Sequence, residues 1–105
     1  MGLLDIFGIG KKKEKMQKFL ADGAVTIDVR SAMEFKGGHP KGAINIPLDT
    51  ISKNIKKIQK YNKPIITCCA SGMRSGVAAS QLKQAGLEVV NGGPWYKVQR
   101  LIEQK

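Results

Sequence analysis

Cysteine and histidine are scarce in this sequence: among 105 residues there are two cysteines and one histidine. The cysteines, Cys68 and Cys69, are adjacent, and a disulfide between neighbours would be strained, so they cannot frame a secreted disulfide-stabilised domain. We therefore expect at least one reduced thiol and a cytoplasmic location. His39 has no second ligand near it at the spacing of a zinc site, so we expect no metal and no cofactor.

Acidic and aromatic residues are also few. Eight acidic residues stand against 18 basic ones, which gives a net charge of +10, and aromatic residues make up 6% of the chain. The basic runs are not interleaved with aromatic side chains on which bases could stack, and no recognition motif is present, so we expect no nucleic-acid binding. We expect most lysines to form solvated faces, and attraction of small anionic substrates is the second interpretation.

The apolar stretch at the start of the chain, MGLLDIFGIG, is too short to span a membrane. A signal peptide has basic residues before its apolar stretch, and this stretch has none before it. The lysines that follow it would allow contact with an anionic membrane surface, which is the less favoured interpretation. We expect residues 1–10 to form an N-terminal arm or an edge strand, and residues 11–105 to form a single domain.

Short β-rich runs alternate with helical patterns along the chain. The predicted strands span residues 24–30, 43–46, 64–68 and 87–90, and the predicted helices span residues 12–21, 31–35, 51–60, 75–85 and 95–102. The glycines and proline at positions 92–94 are expected to end the fourth strand. This alternation predicts an α/β fold with a small, mainly parallel sheet of four or five strands flanked by helices on both faces.

Polar residues follow the first predicted strand. Asp28 and Arg30 lie at its carboxyl end, where open α/β sheets place ligand sites, but we favour a hydrogen-bonded brace for the neighbouring loops. Ser31 and Glu34 fit a capping box at the start of the next helix. His39 lies in a glycine-rich loop and is expected to bond to the backbone rather than to act as a base.

The stretch from Cys68 to Ser75 has the features of a nucleophilic site. A predicted buried strand ends at Cys68 and a helical pattern begins at Ser75, so Cys69 lies before a helix N-terminus, whose free N–H groups attract negative charge. Such a position, together with the cation of Arg74, lowers the pKa of a thiol and populates the thiolate at neutral pH. These features favour Cys69 as a nucleophile.

Four segments, in their order and spacing, resemble the rhodanese family of sulfurtransferases. They are Asp28-Val29-Arg30, GHPKGAINIP at residues 38–47, CASGMRS at residues 69–75, and the glycine pair 92–93 before Trp95. The resemblance extends from about residue 25 to the C-terminus and implies a single-domain protein with a five-stranded parallel sheet between helices. Its first strand would have to come from the residues before Gly10.

The same resemblance implies roles for the residues of the cysteine run. Cys69 would be the catalytic residue, carrying sulfane sulfur as a persulfide. The donor would be a small anion such as thiosulfate, and the acceptor cyanide or a cellular thiol; a partner protein could fill either role. The residues that would bind the substrate are Ala70, Ser71, Gly72, Met73, Arg74 and Ser75. Arg74 would contact the anionic donor, although an arginine this early in a helix can equally pair with a carboxylate outside the pocket.

Two other functions stay open at this point. Counted from Cys68, the chain reads Cys-x5-Arg-Ser, the spacing of protein tyrosine phosphatases, whereas the shorter count from Cys69 suits one sulfur atom better than a phosphate. A sulfur carrier or regulatory module without turnover of its own would also keep Cys69. We expect Cys68 to be a small buried strand residue, and the alternative is a redox partner of Cys69.

Overall fold

The computed structural model describes residues 10–104. The helices in this part of the chain are α1 (Lys11–Ala21), α2 (Ala32–Lys36), α3 (Ile55–Lys60), α4 (Met73–Gln84) and α5 (Trp95–Glu103). The strands are β1 (Val25–Asp28), β2 (Ile44–Asn45), β3 (Ile65–Cys69) and β4 (Val89–Pro94), and two 3-10 turns, Leu48–Thr50 and Ser52–Asn54, precede α3. None of the helices within residues 10–104 is both long and apolar enough to cross a membrane.

The four strands form one parallel sheet in the order β2-β1-β3-β4. β1 pairs with β3 from Val25 and Ile65 to Asp28 and Cys68, so the carboxyl ends of the two central strands lie side by side. This confirms the predicted α/β class, with a parallel sheet of four strands and helices on both faces. The first strand that the resemblance implied before Gly10 lies outside the described residues.

Consecutive residues of β3 alternate between the two buried faces of the sheet. Ile65 and Cys69 belong to the core on the face that α3 and α4 cover, whereas Ile66 and Cys68 belong to the core on the face of α1 and α5. The first core also contains Ile51, Ile58, Ala78, Ala79 and Leu82, and the second contains Met16, Phe19, Leu20, Val98 and Leu101. A strand covered on both faces buries every side chain, and β3 is accordingly apolar apart from Thr67, whose hydroxyl donates to the Ser75 carbonyl at 2.9 Å.

The continuous helix expected over residues 51–60 is wrong. Two 3-10 turns occupy residues 48–54, and the α-helix begins only at Ile55. The hydroxyl of Thr50 donates to the Pro47 carbonyl at 2.9 Å, and the side-chain amide of Asn54 donates to the Thr50 carbonyl at 2.8 Å. These side chains occupy acceptors that a regular helix offers to backbone N–H groups, which explains the late start of α3.

The predicted end of the fourth strand before Gly92 is also wrong, because β4 continues to Pro94. Gly92 is buried against β3 and α5. A Cβ atom on it would lie 2.6 Å from Val98 Cγ2 and 2.8 Å from the Thr67 carbonyl oxygen. The glycine therefore allows close packing of strand and helix rather than a turn.

Replacing Gly92 with alanine is expected to lower the free energy of unfolding by about 3 kcal/mol, because the added methyl group meets backbone and packed side chains. Gly37 is a matched control: its φ is −77°, and a Cβ on it would lie 3.4 Å from the Glu34 carbonyl oxygen. Gly37→Ala should change the free energy of unfolding by less than about 1 kcal/mol. Urea denaturation followed by circular dichroism measures both variants, and equal values would contradict the packing role of Gly92.

Candidate active site

The cysteine loop, residues 69–75, runs from the last residue of β3 through the start of α4. Gly72 precedes the helix with a φ of +104°, a left-handed conformation that would strain a residue with a Cβ atom. A Cβ there would also lie 3.2 Å from Gly93 Cα in β4. Gly72 thus lets the chain turn sharply, and the helix begins at Met73, two residues earlier than predicted. The first amides of α4 are thereby brought close to the Cys69 sulfur.

Hydrogen-bonding groups of the cysteine loop surround the Cys69 sulfur. The Gly72 N–H donates to Sγ at 3.0 Å and the Ser75 N–H at 3.4 Å, and the Ser75 hydroxyl oxygen lies 3.3 Å from Sγ. The Cys69 side chain is 0% exposed. Burial alone would raise the pKa of this thiol, but hydrogen bonds from Ser75, Gly72 and Ser71 outweigh it and hold the pKa below its ordinary value.

The other residues predicted to bind substrate lie around this sulfur in different ways. Ala70 and Ser71 are exposed, and Met73 is 79% exposed. The Arg74 guanidinium forms a two-point contact with the Glu34 carboxylate, with N–O distances of 2.8 and 3.0 Å. Pairing of Arg74 with a carboxylate was the alternative to substrate contact in the sequence analysis. The ion pair links the cysteine loop to α2.

Charge and capping both orient Glu34. The hydrogen bonds from Arg74, followed by those from Ser31, lower the pKa of Glu34 to about 2, and Glu34 in turn raises the pKa of Arg74. The Ser31 hydroxyl accepts from the Glu34 N–H and the Glu34 side chain accepts from the Ser31 N–H, which confirms the predicted capping box. Both members of the ion pair therefore stay charged at neutral pH.

Cys68 lies on the opposite side of β3 from Cys69. It is 0% exposed and packs in the core that contains Met16 and Phe19. Burial, followed by the charge of Asp28, raises the pKa of the Cys68 thiol far above its ordinary range. Cys68 is thus a buried strand residue, as expected, and it packs in a different core from Cys69.

Asp28 and Arg30 form the brace expected at the end of β1. Arg30 Nε donates to Asp28 Oδ1 at 2.9 Å and Arg30 Nη2 donates to Oδ2 at 2.7 Å, and both side chains are buried. Arg30 Nη2 also donates to the Gly38 carbonyl at 2.6 Å, and the guanidinium lies 5.0 Å from the centre of the Trp95 ring. The pair therefore holds the loop around Gly38 close to the start of α5.

His39 makes the backbone contact that was predicted for it. Its Nδ1 lies 2.7 Å from the Phe35 carbonyl oxygen, and since a carbonyl oxygen can only accept, Nδ1 carries the hydrogen and donates. The rings of His39 and Phe35 stack with their centres 3.6 Å apart. Within residues 10–104 no group of three or more His, Cys, Asp or Glu side chains is arranged to hold a metal ion.

Asn91 also contacts the cysteine loop, and it was not among the residues predicted from the sequence. Its Nδ2 donates to the Gly72 carbonyl at 3.0 Å. Its Oδ1 accepts from the Gly93 N–H at 2.9 Å and from the Ser75 hydroxyl at 2.6 Å. The available signal was a polar residue beside a glycine pair in an otherwise apolar strand, because such a residue needs hydrogen-bond partners.

Known proteins share this sequence pattern. The family model of the rhodanese-like domain matches residues 12–94. The uncharacterized protein YqhL of Bacillus subtilis (strain 168) is 43% identical over 63 residues, which cover 60% of this chain and 49% of YqhL. Thiosulfate sulfurtransferase GlpE of Haemophilus influenzae (strain PittEE) is 30% identical over 73 residues, which cover 70% of this chain and 69% of GlpE. The chain spans half the length or less of several curated relatives.

Solved structures share the fold. A rhodanese with anions from E. coli has a TM-score of 0.64 and 32% identity, with 70% of this chain and 89% of that chain covered. Reduced Bacillus anthracis CoADR-RHD has a TM-score of 0.70 and 33% identity, with 88% of this chain and 16% of that chain covered. The chain therefore belongs to the rhodanese-like domain family, and sulfur transfer is the chemistry that this membership supports.

Proposed function

We propose that the chain is a thiosulfate sulfurtransferase that carries sulfur as a persulfide on Cys69. The observation that carries this proposal is the hydrogen bonding of the Cys69 sulfur inside the buried loop, with the Gly72 N–H at 3.0 Å and the Ser75 N–H at 3.4 Å. Backbone donors fixed at these distances stabilise a sulfur anion at no cost of reorganisation during the reaction. The similarity to GlpE supports the same chemistry.

The proposed reaction proceeds in two half-reactions. The Cys69 thiolate attacks the outer sulfur of thiosulfate, so that a new S–S bond forms while the S–S bond of thiosulfate breaks and sulfite leaves with the electron pair. The outer sulfur of the resulting persulfide carries the negative charge. Cyanide carbon then attacks this sulfur to give thiocyanate, or a thiolate attacks it to give a new persulfide, and the Cys69 thiolate is regenerated.

The cysteine loop is proposed to bind the transferred sulfur and its donor. The residues assigned to this role are Ala70, Ser71, Gly72, Met73, Arg74 and Ser75. The amides of Gly72 and Ser75 point at the Cys69 sulfur, and Arg74, held by its ion pair with Glu34, is proposed to contact the anionic donor at the rim. The net charge of +10 also attracts an anionic donor.

Access to the sulfur is proposed to require movement of the loop. Cys69 is 0% exposed, so an incoming donor must displace loop atoms before it reaches Sγ. Ala70, Ser71 and Met73 form the exposed side of the loop. We therefore place the path of the donor past these three residues.

A sulfur carrier is the second candidate function. The putative sulfur carrier protein YrkF of Bacillus subtilis (strain 168) is 35% identical over 75 residues, which cover 70% of this chain and 40% of YrkF. In that case a partner protein would deliver and remove the sulfur on Cys69, and thiosulfate would not be turned over. The number of thiocyanate molecules made per protein molecule separates the two functions.

We propose further that residues 11–105 form one rhodanese-like domain in the cytoplasm. Met16 of α1 and Val98 and Leu101 of α5 share one core, which ties both ends of this range to the same sheet. Both cysteines are free thiols, which suits a reducing compartment.

Intact-mass measurement tests the proposed function. After incubation with thiosulfate the protein is expected to gain one sulfur atom, located on Cys69 by fragmentation, and cyanide is expected to remove it as thiocyanate. Repeated turnover in the presence of both reagents would support the sulfurtransferase. Loading only from a persulfide-bearing donor protein would support the carrier, and a protein whose mass thiosulfate leaves unchanged would overturn thiosulfate as the donor.

A further inference from the structure

The side-chain amide of Asn91 has a fixed orientation in the site. The Gly93 N–H lies 2.9 Å from Oδ1, and the Gly72 carbonyl lies 3.0 Å from Nδ2. An N–H can only donate and a carbonyl can only accept, so these two backbone groups decide which end of the amide is the oxygen. Asn91 therefore presents an acceptor, and not a donor, to Ser75.

This orientation determines where the single hydroxyl hydrogen of Ser75 goes. The hydroxyl oxygen lies 2.6 Å from Asn91 Oδ1 and 3.3 Å from Cys69 Sγ, and Ser75 is 0% exposed. Because Oδ1 has no hydrogen of its own, the short contact requires the Ser75 hydrogen to lie between the two oxygens. A lone pair of the hydroxyl then faces the sulfur.

The hydrogen bonds that the Cys69 sulfur can form change during the proposed reaction. A protonated Cys69 thiol can donate to the lone pair of Ser75, so its hydroxyl hydrogen stays with Asn91. A Cys69 thiolate is an acceptor only, and it is stabilised by the Ser75 hydroxyl if the hydrogen turns away from Asn91. In the persulfide the charge moves to the outer sulfur, and the hydrogen can return to Asn91.

We propose that Asn91 is a positioning residue that competes with the Cys69 sulfur for the Ser75 hydroxyl hydrogen. The competition makes the free thiolate less stable than it would be with Ser75 alone, and a less stabilised thiolate is the stronger nucleophile. The benefit of this restraint for sulfur transfer rests on the proposed function, whereas the competition itself concerns only the ionisation of Cys69.

Other charged groups near the site have partners that do not involve Asn91. Arg74 on α4 is paired with Glu34 on α2, and Arg30 is paired with Asp28 at the end of β1. The buried Cys68 thiol on β3 is held neutral by its raised pKa. These groups are the same in variants of Asn91 and Ser75, so they do not account for differences in the Cys69 pKa among those variants.

A double-mutant cycle of Asn91 and Ser75 tests the competition. In each variant the rate at which iodoacetamide alkylates Cys69 is measured by mass spectrometry over a range of pH, which gives the apparent pKa of Cys69. Asn91→Ala is expected to lower the apparent pKa of Cys69 by about half a unit to one unit, because the hydroxyl is freed for the thiolate. Ser75→Ala is expected to raise it. In Ser75→Ala the further change Asn91→Ala should have no effect, because the hydrogen for which Asn91 competes is gone.

Two results would overturn the proposal. One is a rise in the apparent pKa of Cys69 in Asn91→Ala, which would mean that the amide only stabilises the loop. The other is a shift in the apparent pKa of Cys69 on Asn91→Ala that is equally large in the wild type and in Ser75→Ala. Asn54 supplies the matched control, because its side-chain amide also bonds to a backbone carbonyl, that of Thr50. Asn54→Ala should leave the apparent pKa of Cys69 unchanged.

Asn91→Asp provides a second route if the alanine variant folds poorly, as judged by near-ultraviolet circular dichroism. The carboxylate accepts the Ser75 hydrogen more strongly than the amide does and adds a negative charge near the sulfur, so it should raise the apparent pKa of Cys69. The rise should be smaller in Ser75→Ala, where only the added charge acts. An equal rise in both backgrounds would contradict the competition. Alkylation needs no thiosulfate, so failure of the proposed function and failure of this proposal give different results.

Discussion

Replacing Cys69 with serine is expected to abolish the formation of thiocyanate from thiosulfate and cyanide, with a loss of at least about 10³-fold in rate. A serine hydroxyl is not ionised at neutral pH, and its oxygen cannot form the S–S bond of a persulfide. The loop that holds the residue should be preserved, because Gly72 and Ser75 can donate to an oxygen as they do to Sγ. The rate of thiocyanate formation and the intact mass after thiosulfate treatment measure the effect.

Cys68→Ser is the matched control, because Cys68 is the adjacent thiol but lies in the opposite core. Cys68→Ser is expected to gain one sulfur atom from thiosulfate and to form thiocyanate at a rate close to that of the wild type. The measurement is made at low temperature so that any loss of stability does not unfold the variant. Release of p-nitrophenol from p-nitrophenyl phosphate is expected from neither variant nor from the wild type. Phosphatase activity that disappears in Cys68→Ser, or sulfur loading that survives in Cys69→Ser, would contradict the assignment of the nucleophile.

Replacing Arg30 with methionine is expected to lower the free energy of unfolding by about 3–5 kcal/mol, because it leaves the Asp28 carboxylate buried without its partner. Asp28 is 0% exposed and receives hydrogen bonds from Arg30 at 2.7 to 3.1 Å. The same change removes the bond to the Gly38 carbonyl and the contact with Trp95. Urea denaturation measures the loss.

Two comparisons separate the buried pair from arginine loss in general. Arg100 is exposed on α5, and Arg100→Met should change the free energy of unfolding by less than about 0.5 kcal/mol. Asp28→Leu added to Arg30→Met should restore part of the stability, because no unpaired buried charge is left. If Arg30→Met were no more harmful than Arg100→Met, the brace would not stabilise the fold.

The order and type of the elements were predictable from local patterns. The spacing of Met16, Phe19 and Leu20 in α1 and the apolar run of β3 reflect burial that each segment requires. The capping box of Ser31 and Glu34 is likewise a contact between residues three apart. Predictions failed where side chains compete with the backbone, as Thr50 and Asn54 do before α3, or where a glycine serves packing, as in β4.

The sequence by itself determined the α/β class, the position of the cysteine loop and the choice of Cys69 over Cys68 as the candidate nucleophile, because these depend on residues close together in the chain. Only the tertiary structure decided what surrounds that cysteine. Arg74 pairs with Glu34 across 40 positions, and Ser75 bonds to Asn91 across 16. Such contacts follow from the register of parallel strands and the packing of helices on the sheet, which local patterns do not contain.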